Sequence, residues 1–190
     1  DNRNIVAFTD LGESNPSNPH IFAKTNVPYP DDNINTLKDE IFRGDTSRLR
    51  DISTVFSYLS SLSNLDLVEG VDFDKIESAR KLSSNEYTFN RSLGFISLNT
   101  ALSSSQVLAV AFQYTVNGEV YQVGEFSDGG VNSPNNLVVK LLRATSVNTQ
   151  SPLWDLMMKN VYSLNAYQVS ENDFVLNVLY SGNENGVATG

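Results

Sequence analysis

The chain has no cysteine and only one histidine among its 190 residues. The lack of cysteine excludes disulfides, thiolate metal sites and cysteine nucleophiles, although it does not identify a cellular compartment. A serine hydrolase needs a general base, and His20 lies in the loop-like stretch SNPSNPH without any G-x-S-x-G motif in the sequence. We therefore interpret His20 as an exposed loop residue, and we predict a non-enzymatic protein without catalytic residues, metal or cofactor.

Basic residues are scarce relative to acidic ones. The chain has 13 lysines and arginines against 22 aspartates and glutamates, a formal net charge of −9. This balance repels phosphate backbones and anionic lipid surfaces, so nucleic acid is not an expected partner. No apolar run approaches the ~20 residues that a membrane helix requires. Because the first residue is Asp, with no signal-like segment before it, we interpret the chain as a piece of a larger protein.

The most regular pattern in the sequence is VLAVAFQYTVNGEVYQVGEF, residues 107–126. Its first half alternates between two sets of side chains, which is typical of a β-strand. Asn117-Gly118 then supplies residues that readily adopt positive φ, as a two-residue type I′ turn requires. Counting outward from this turn predicts the cross-strand pairs Val116 with Glu119, Tyr114 with Tyr121, Phe112 with Val123 and Ala111 with Gly124. We expect Phe112 and Tyr114 to be buried on the inner face of this hairpin.

Other strands and two helices are predicted along the chain. Strand patterns occur at Asn4–Thr9, Lys75–Leu82, Glu86–Asn99 with a turn at Arg91–Gly94, Leu137–Arg143 and Asp173–Tyr180. Helical spacing of apolar residues follows the N-cap candidates Asp45 and Thr46 as far as Ser63-Asn64, and it recurs after the Ser151-Pro152 cap. These elements predict an α+β fold, with an antiparallel, sandwich-like sheet that has the long hairpin at its centre and is covered by two amphipathic helices.

Three regions are expected from the distribution of these patterns. Residues 1–44 form a polar, partly irregular N-terminal arm, residues 45–182 form the α+β domain, and residues 183–190 form a flexible tail. The arm contains Glu13–Asn33, which is rich in Ser, Asn, Pro and Asp and has no periodicity. We expect the arm to be held by packing on the domain or on its neighbours, and the excised piece to be soluble and mainly monomeric.

Acidic residues occur in pairs that invite a search for a glycosidase or calcium site. The pairs are Asp31-Asp32, Asp39-Glu40, Asp72/Asp74 and Glu171/Asp173. Nothing in the sequence shows that these carboxylates converge, so we interpret them as solvated surface charge. The spacing of Asp31, Asn33 and Asn35 imitates alternate ligands of an EF-hand loop, but Thr36 stands where that loop needs glycine, so we reject the motif.

Four runs, in order along the chain, resemble the SprA family, also called Sov. They are ESARKL (77–82), EYTFNRSLGFISLN (86–99), VLAVAFQYTVNGEVYQVGEF (107–126) and SPLWDLMMKNVYSL (151–164). Members of this family are giant outer-membrane β-barrel proteins of the type IX secretion system of Bacteroidetes, linked to protein export and gliding motility. The resemblance covers residues 71–180 and brings no catalytic residues with it. The motif residues all have structural interpretations: Tyr87, Gly94, Gln113, Tyr114, Gly118, Tyr121, Gly124, Trp154, Asp155, Met157, Asn160 and Tyr162.

Because the family is built around a β-barrel, a transmembrane strand is one alternative for residues 106–116. Such strands also alternate, over about 9 to 11 residues. However, the partner strand carries Glu119 and Glu125, which the predicted register places on the same face as Val110 and Tyr114. Lipid-facing strands do not present carboxylates in this way except at their ends. A domain with its own hydrophobic core is the better interpretation.

The resemblance implies a non-catalytic soluble domain of an export translocon in the outer membrane, on its extracellular or periplasmic side. Its task would be capping, gating or docking. The expected partners are the rest of the barrel and auxiliary secretion proteins, with the exported chain as a further candidate. The alternative from another class is a cell-surface adhesion or glycan-binding module, which needs a shallow aromatic platform or a calcium cluster.

Overall fold

The computed structural model describes residues 2–146 and 148–158, and beyond them residues 169, 170, 172, 174, 175 and 177. The chain divides into two compact units, Asp1–Met157 and Met158–Gly190. Every helix and strand given below belongs to the first unit. Where the second predicted helix should begin, residues 151–158 form only a 3₁₀ turn at Pro152–Trp154. The rest of that predicted helix beyond residue 158, most of the predicted strand Asp173–Tyr180 and the predicted tail lie outside the described residues.

The α+β class with antiparallel sheets is confirmed, since the described residues form eight strands and three α-helices. The strands are β1 (Asn2–Phe8), β2 (Phe73–Arg80), β3 (Tyr87–Asn90), β4 (Phe95–Leu98), β5 (Leu108–Val110), β6 (Phe112–Val116), β7 (Glu119–Val123) and β8 (Leu137–Arg143). The helices are α1 (Leu37–Ile41), α2 (Thr46–Arg50) and α3 (Val55–Ser61), followed late in the chain by a 3₁₀ turn at Pro152–Trp154.

The main sheet has four strands in the order β2-β1-β8-β5. Its central pair, β1 and β8, is parallel, with Ile5 opposite Leu137 and Phe8 opposite Lys140. The outer pairs, β1 with β2 and β8 with β5, are antiparallel. Both central strands read as nearly continuous apolar runs, NIVAF and LVVKLL, because their side chains are covered on both faces of the sheet.

Buried apolar side chains form one cluster on each face of the main sheet. The first cluster joins Phe8 and Phe73, whose ring centroids are 6.0 Å apart, to the three helices. Its helical members are Leu37, Ile41, Leu49, Val55, Tyr58 and Leu59. The second cluster consists of Ala7, Leu137, Val139, Leu141, Ala144 and Leu153. The alternation of side chains along β1 and β8 therefore supplies both clusters.

The structure does not separate residues 1–44 from the rest of the first unit. The strand predicted at Asn4–Thr9 is confirmed as β1, and it lies inside the main sheet between β2 and β8. Leu11, Ile21 and Ile34, all within residues 1–44, are buried, and Leu11 and Ile21 belong to the first cluster. The boundary expected after residue 44 therefore does not divide the fold.

Buried polar contacts order this stretch in place of regular secondary structure. The Asp10 carboxylate accepts hydrogen bonds from the Ser17 and Asn18 main-chain N–H groups, each at 2.9 Å. The Asn35 side-chain amide donates to the main-chain oxygens of Asp10 and Glu13, at 2.8 and 2.9 Å. Such contacts satisfy buried polar groups without any sequence periodicity, which is why the pattern resembled a loose arm.

The single helix predicted from Asp45 to Asn64 is two helices. Asp45 is confirmed as an N-cap, since its carboxylate accepts from Ser47 N–H at 3.1 Å. Asp51 then adopts an extended conformation, with φ −101° and ψ 119°, and its carboxylate accepts from Ser53 N–H at 2.9 Å. A short polar side chain that binds neighbouring main-chain groups offers the backbone an alternative to the helix, and this ends α2.

The predicted hairpin register is confirmed, but its position in the fold differs from the prediction. Val116 pairs with Glu119, Tyr114 with Tyr121 and Phe112 with Val123. Asn117 and Gly118 have φ of 51° and 86°, as the turn requires. At Ala111, however, the strand breaks: β5 joins the main sheet, whereas β6 and β7 form a separate two-stranded sheet. The hairpin is therefore not the centre of the main sheet.

The break brings two small residues together. Gly124 has φ 77°, and a Cβ added there would lie 3.2 Å from both the Ala111 Cβ and the Val139 Cα. Ala111 and Gly124 are therefore close neighbours, although they lie outside the hairpin ladder. The predicted burial of Phe112 is wrong, since 37% of this residue is exposed, and Tyr114 is half-buried. The face of this hairpin is therefore only partly covered by the residues that the structure describes.

Candidate interaction surface

Four aromatic rings stand in a row along the β6–β7 hairpin, and we call Tyr29, Phe112, Tyr114 and Tyr121 the aromatic ladder. Phe112 and Tyr114 stack with centroids 6.0 Å apart, and Tyr114 stacks on its cross-strand partner Tyr121 at 5.6 Å. Tyr29, from the stretch before α1, meets Tyr121 edge-on at 5.3 Å. Residues two apart on a strand share a face, so the alternation and the register together build this ladder.

Hydrogen bonds hold two of the four rings. The Tyr114 hydroxyl donates to the Pro30 main-chain oxygen at 2.6 Å. The Tyr121 hydroxyl donates to Glu119 Oε2 at 2.7 Å, and this bond raises the pKa of Tyr121 to about 12. Tyr121 is buried, whereas Phe112 and Tyr29 are each 37% exposed. The ladder thus has a fixed centre and two solvent-accessible ends.

The outer edge of β7 is covered by two aspartates. Asp31 accepts from Gln122 N–H at 3.0 Å, Asp32 N–H donates to the Gln122 oxygen at 2.9 Å, and Asp32 accepts from Gly124 N–H at 2.8 Å. Burial raises the pKa of Asp32 above its ordinary value, although Lys38 lies 3.1 Å away. The acidic pair predicted to be solvated charge is therefore a structural cap on a strand edge.

A second hairpin, β3–β4, carries an apolar face. Its register pairs Tyr87 with Leu98 and Phe89 with Ile96, and cross-strand partners share a face. Phe89 is 53% exposed, Ile96 is 37% exposed, and Leu93 at the tip is 74% exposed. We call these five residues with their two strands the apolar hairpin. It forms a two-stranded sheet of its own, so no further strand extends it in the described residues.

The base of the apolar hairpin is held by an ion pair. Arg80 at the end of β2 donates to Glu86 at 2.8 Å, and Ser83 N–H donates to the same carboxylate at 2.9 Å. The hydrogen bond from Arg80 is the main cause that lowers the pKa of Glu86 to about 2. This contact orients the hairpin without covering its apolar face.

His20 lines a polar cavity of about 320 Å³, whose wall also includes Ser17, Asn18, Asp66, Asp72, Asn148, Gln150, Ser151 and Pro152. Burial raises the pKa of the Asp72 carboxyl above its ordinary value. Both Asp72 oxygens are used within the fold, because they accept from Asn18 Nδ2 at 3.1 Å and Val68 N–H at 2.8 Å. Asp72 therefore fastens a turn, and the cavity wall has hydrogen-bonding groups suited to a small polar molecule.

Among the described residues, the other predicted acidic side chains do not assemble into one site, and the predicted pair Glu171/Asp173 lies outside the described residues. Asp39 pairs with Lys24 at 2.5 Å, and Glu40 pairs with Arg43. Asp31 accepts from Asn33 N–H at 2.8 Å, a local turn contact that accounts for the EF-hand-like spacing. Within the part of the chain that the structure describes, no group of three or more His, Asp or Glu side chains is arranged to hold a metal.

One charged residue in the core escaped the sequence interpretation. Lys140 stands in the apolar run LVVKLL of β8 and is 5% exposed. Its ammonium donates to the Thr9 oxygen and forms an ion pair with Glu13 at 2.6 Å. Burial lowers the pKa of Lys140 below its ordinary value. The sequence signal for this contact was a single lysine within an apolar strand that is covered on both faces. A buried lysine is normally paired with an acidic group, so its position predicts a buried ion pair.

Asp74→Asn should stabilise the protein at pH 7 by about 1 kcal/mol. This is the low end of the cost of an unsatisfied buried polar atom, and we expect the low end because water partly screens this half-buried carboxylate. Asp74 Oδ2 is buried without a hydrogen-bond partner among the described residues, and burial and the charge of Glu69 raise the pKa of Asp74. Since the native state binds this proton more tightly than the unfolded state does, the wild-type protein regains stability as pH falls through the raised pKa.

The advantage of Asp74→Asn should therefore shrink as the pH is lowered from 7 towards 4. Urea denaturation at several pH values measures this difference. Glu77→Gln on the same strand, at an exposed position, is the control and should change stability by less than about 0.5 kcal/mol at each pH. A gain from Asp74→Asn that stayed constant with pH would contradict the assignment to ionisation.

No protein-family model matches this chain, and no curated protein matches it either. The four runs noted in the sequence fall on definite parts of the fold: the end of β2, the apolar hairpin, β5 to β7, and the segment that begins with the 3₁₀ turn. Within the described residues, no helix combines the length and apolar character needed to cross a membrane.

Proposed function

We propose that this chain is a non-catalytic domain of an outer-membrane protein-export translocon of the SprA/Sov type, where it docks against the barrel or an auxiliary subunit. The observation that carries this proposal is the apolar hairpin. Phe89, Leu93 and Ile96 are more than one-third exposed and lie within ten residues of one another. Contiguous apolar surface on a small projecting element is typical of a protein–protein contact.

The energetics of a lone hairpin support the same interpretation. A two-stranded sheet with one uncovered apolar face is at best marginally stable in water. Burying Phe89 against a partner would contribute on the order of 1.5–3 kcal/mol, as for other large apolar side chains. The hairpin is oriented by the Arg80–Glu86 pair before any partner arrives, which lowers the entropy lost on docking.

The resemblance supports a translocon in particular. The run EYTFNRSLGFISLN supplies both strands of the apolar hairpin and its turn, in which Gly94 has φ 68°. One of the four runs through which this chain resembles the family thus lies on the surface that we assign to docking. The resemblance is not confined to the buried core of the main sheet.

A glycan-binding or adhesion module is the second candidate function, and the aromatic ladder favours it. Phe112 and Tyr29 expose parts of their rings at the two ends of a rigid row, and aromatic faces stack on the apolar faces of sugar rings. This shallow platform is one of the two features that the sequence interpretation required of such a module. The two functions predict different losses in the same experiment.

Replacing Phe89 and Ile96 together by serine in the full-length parent protein should reduce export of type IX cargo at least tenfold. Both side chains are partly exposed, so each substitution should cost the isolated domain about 1 kcal/mol or less. Thr88 and Ser97 form the adjacent cross-strand pair, whose polar side chains lie on the opposite face, so their double alanine variant is the matched control and should export normally. Cargo in the medium and cargo retained in the cell are measured by immunoblot.

Unrelated outer-membrane proteins should remain in place in both variants. Normal export by the Phe89/Ile96 variant would contradict the docking proposal. Normal export combined with lost attachment to sugars or surfaces in a Phe112→Ala variant would establish the adhesion module as the better account.

A further inference from the structure

The hairpin register determines which main-chain groups of β6 remain available. A two-residue turn is closed by a hydrogen-bonded pair, here Val116 with Glu119, and such pairs alternate with pairs whose N–H and C=O groups point away from each other. Gln113 with Gln122 is therefore an outward-pointing pair. Gln122 fits this assignment, because its N–H and C=O bind Asp31 and Asp32 outside the hairpin.

On the other side of the hairpin, the outward N–H and C=O groups of Gln113 and Thr115 have no hydrogen-bond partner among the described residues. Both residues are exposed. The strand carries no charge, no proline and no register shift, which are the features that usually protect an edge from pairing. By contrast, the edge strand β2 carries Lys75 and Glu77 and has a register shift against β1.

The surroundings of this edge are negatively charged. Residues 107–127 contain two glutamates and no lysine or arginine. Glu125 is neutralised by Arg50 at 2.5 Å, but Glu119, on the neighbouring strand, has no ion-pair partner within the described residues. Asp31 also lacks an ion-pair partner there, although it binds the opposite edge of the hairpin. The aromatic ladder lies on one face of the same strand, so an added strand would meet Phe112 and Tyr114 on that face.

We propose that the free edge of β6 binds an extended, basic segment of a partner protein as an added β-strand. The main-chain groups of Gln113 and Thr115 pair with it, its alternate apolar side chains pack against Phe112 and Tyr114, and a lysine or arginine lies near Glu119. This mode of recognition takes affinity from main-chain hydrogen bonds and specificity from alternate side chains. The inference rests on the hairpin and its charges, and it is independent of the translocon assignment.

A second copy of the chain is the competing occupant, and charge disfavours it. Each chain carries a net charge of −9, and pairing β6 with itself would bring two copies of Glu119 to the same small sheet. A basic segment gains from the same charges. The test below therefore includes the association state of the chain alone.

The experiment uses the 190-residue chain and a synthetic peptide of alternating valine and threonine with a lysine at each end. Amide signals are followed by NMR titration and by hydrogen exchange. The Gln113 and Thr115 amides should gain protection, whereas the Gln122 amide, which already donates to Asp31, should not change. The same peptide with glutamate at each end should bind about tenfold more weakly at low salt, and the difference should shrink as salt is added.

Two proline variants locate the binding edge. Thr115→Pro removes an outward N–H that the fold does not use, so the hairpin should persist while peptide affinity falls at least tenfold. Val120 is the cross-strand partner of Thr115 and directs its N–H to the opposite edge, so Val120→Pro is the matched control and should bind within about twofold of wild type. Dispersed NMR spectra confirm that both variants are folded.

The remaining outcomes each overturn the inference. If saturating lysine-ended peptide leaves the Gln113 and Thr115 amides unprotected, or if Thr115→Pro binds as well as wild type, the edge is not a binding surface. If the chain alone dimerises in sedimentation and Thr115→Pro abolishes the dimer, a second copy occupies the edge and the assignment to a basic partner is wrong.

Discussion

Phe8→Ala should lower the free energy of unfolding by about 3–5 kcal/mol, the range measured for truncation of buried phenylalanines. Phe8 is fully buried on the helix-covered face of the main sheet, and its ring lies 6.0 Å from that of Phe73. β1 is an internal strand, so its neighbours on both sides restrict collapse around the cavity. Equilibrium urea denaturation followed by circular dichroism measures the loss.

Phe112→Ala is the matched control for this prediction. The same substitution at Phe112 should cost about 1 kcal/mol or less, because 37% of the residue is exposed and less apolar area returns to water. Equal losses at the two positions would show that the β6–β7 hairpin is buried in the same way as β1, contrary to the structure. The sequence alone favoured Phe112 as the costly position.

Glu13→Gln should cost about 2–4 kcal/mol, because it removes the ion-pair partner of the buried Lys140 ammonium and leaves only the weaker attraction of the Asp10 carboxylate. The Glu13 carboxylate is partly exposed and lies 2.6 Å from the ammonium, so the expected loss is below that of a fully buried pair. Lys140 also donates a hydrogen bond to the Thr9 oxygen, and this hydrogen bond remains in the variant. Denaturation at pH 7 measures the change.

Lys140→Met should be the milder substitution, because it removes the buried charge and keeps the side-chain volume. We expect a loss of about 1–2 kcal/mol, since the Thr9 carbonyl is left without its hydrogen-bond donor. Arg43→Gln, which breaks the exposed pair with Glu40, is the control and should change stability by less than about 0.5 kcal/mol. A larger loss for Lys140→Met than for Glu13→Gln would mean that the ion pair itself stabilises the fold. The predicted order rests on the desolvation of an unpaired charge.

The sequence by itself determined the elements whose partners are close along the chain. The Asn117-Gly118 turn specified the register of β6 and β7, and the apolar hairpin followed from two short alternating strands around Arg91–Gly94. The Asp45 and Ser151 caps were also readable, because capping depends on side chains within a few residues of the main-chain groups they bind. Local geometry contains all the information that these elements need.

Only the tertiary structure decided which strands meet. The central parallel pair joins β1 to β8 across more than half of the chain, and periodicity reports which face of a strand is apolar without naming its neighbour. The same long-range pairing places β5 in the main sheet and β6 outside it, which leaves the hairpin partly exposed and the outer edge of β6 without a neighbouring strand among the described residues. It also brings Lys140 to Thr9 and Glu13, so a stretch without periodicity becomes ordered by buried polar contacts.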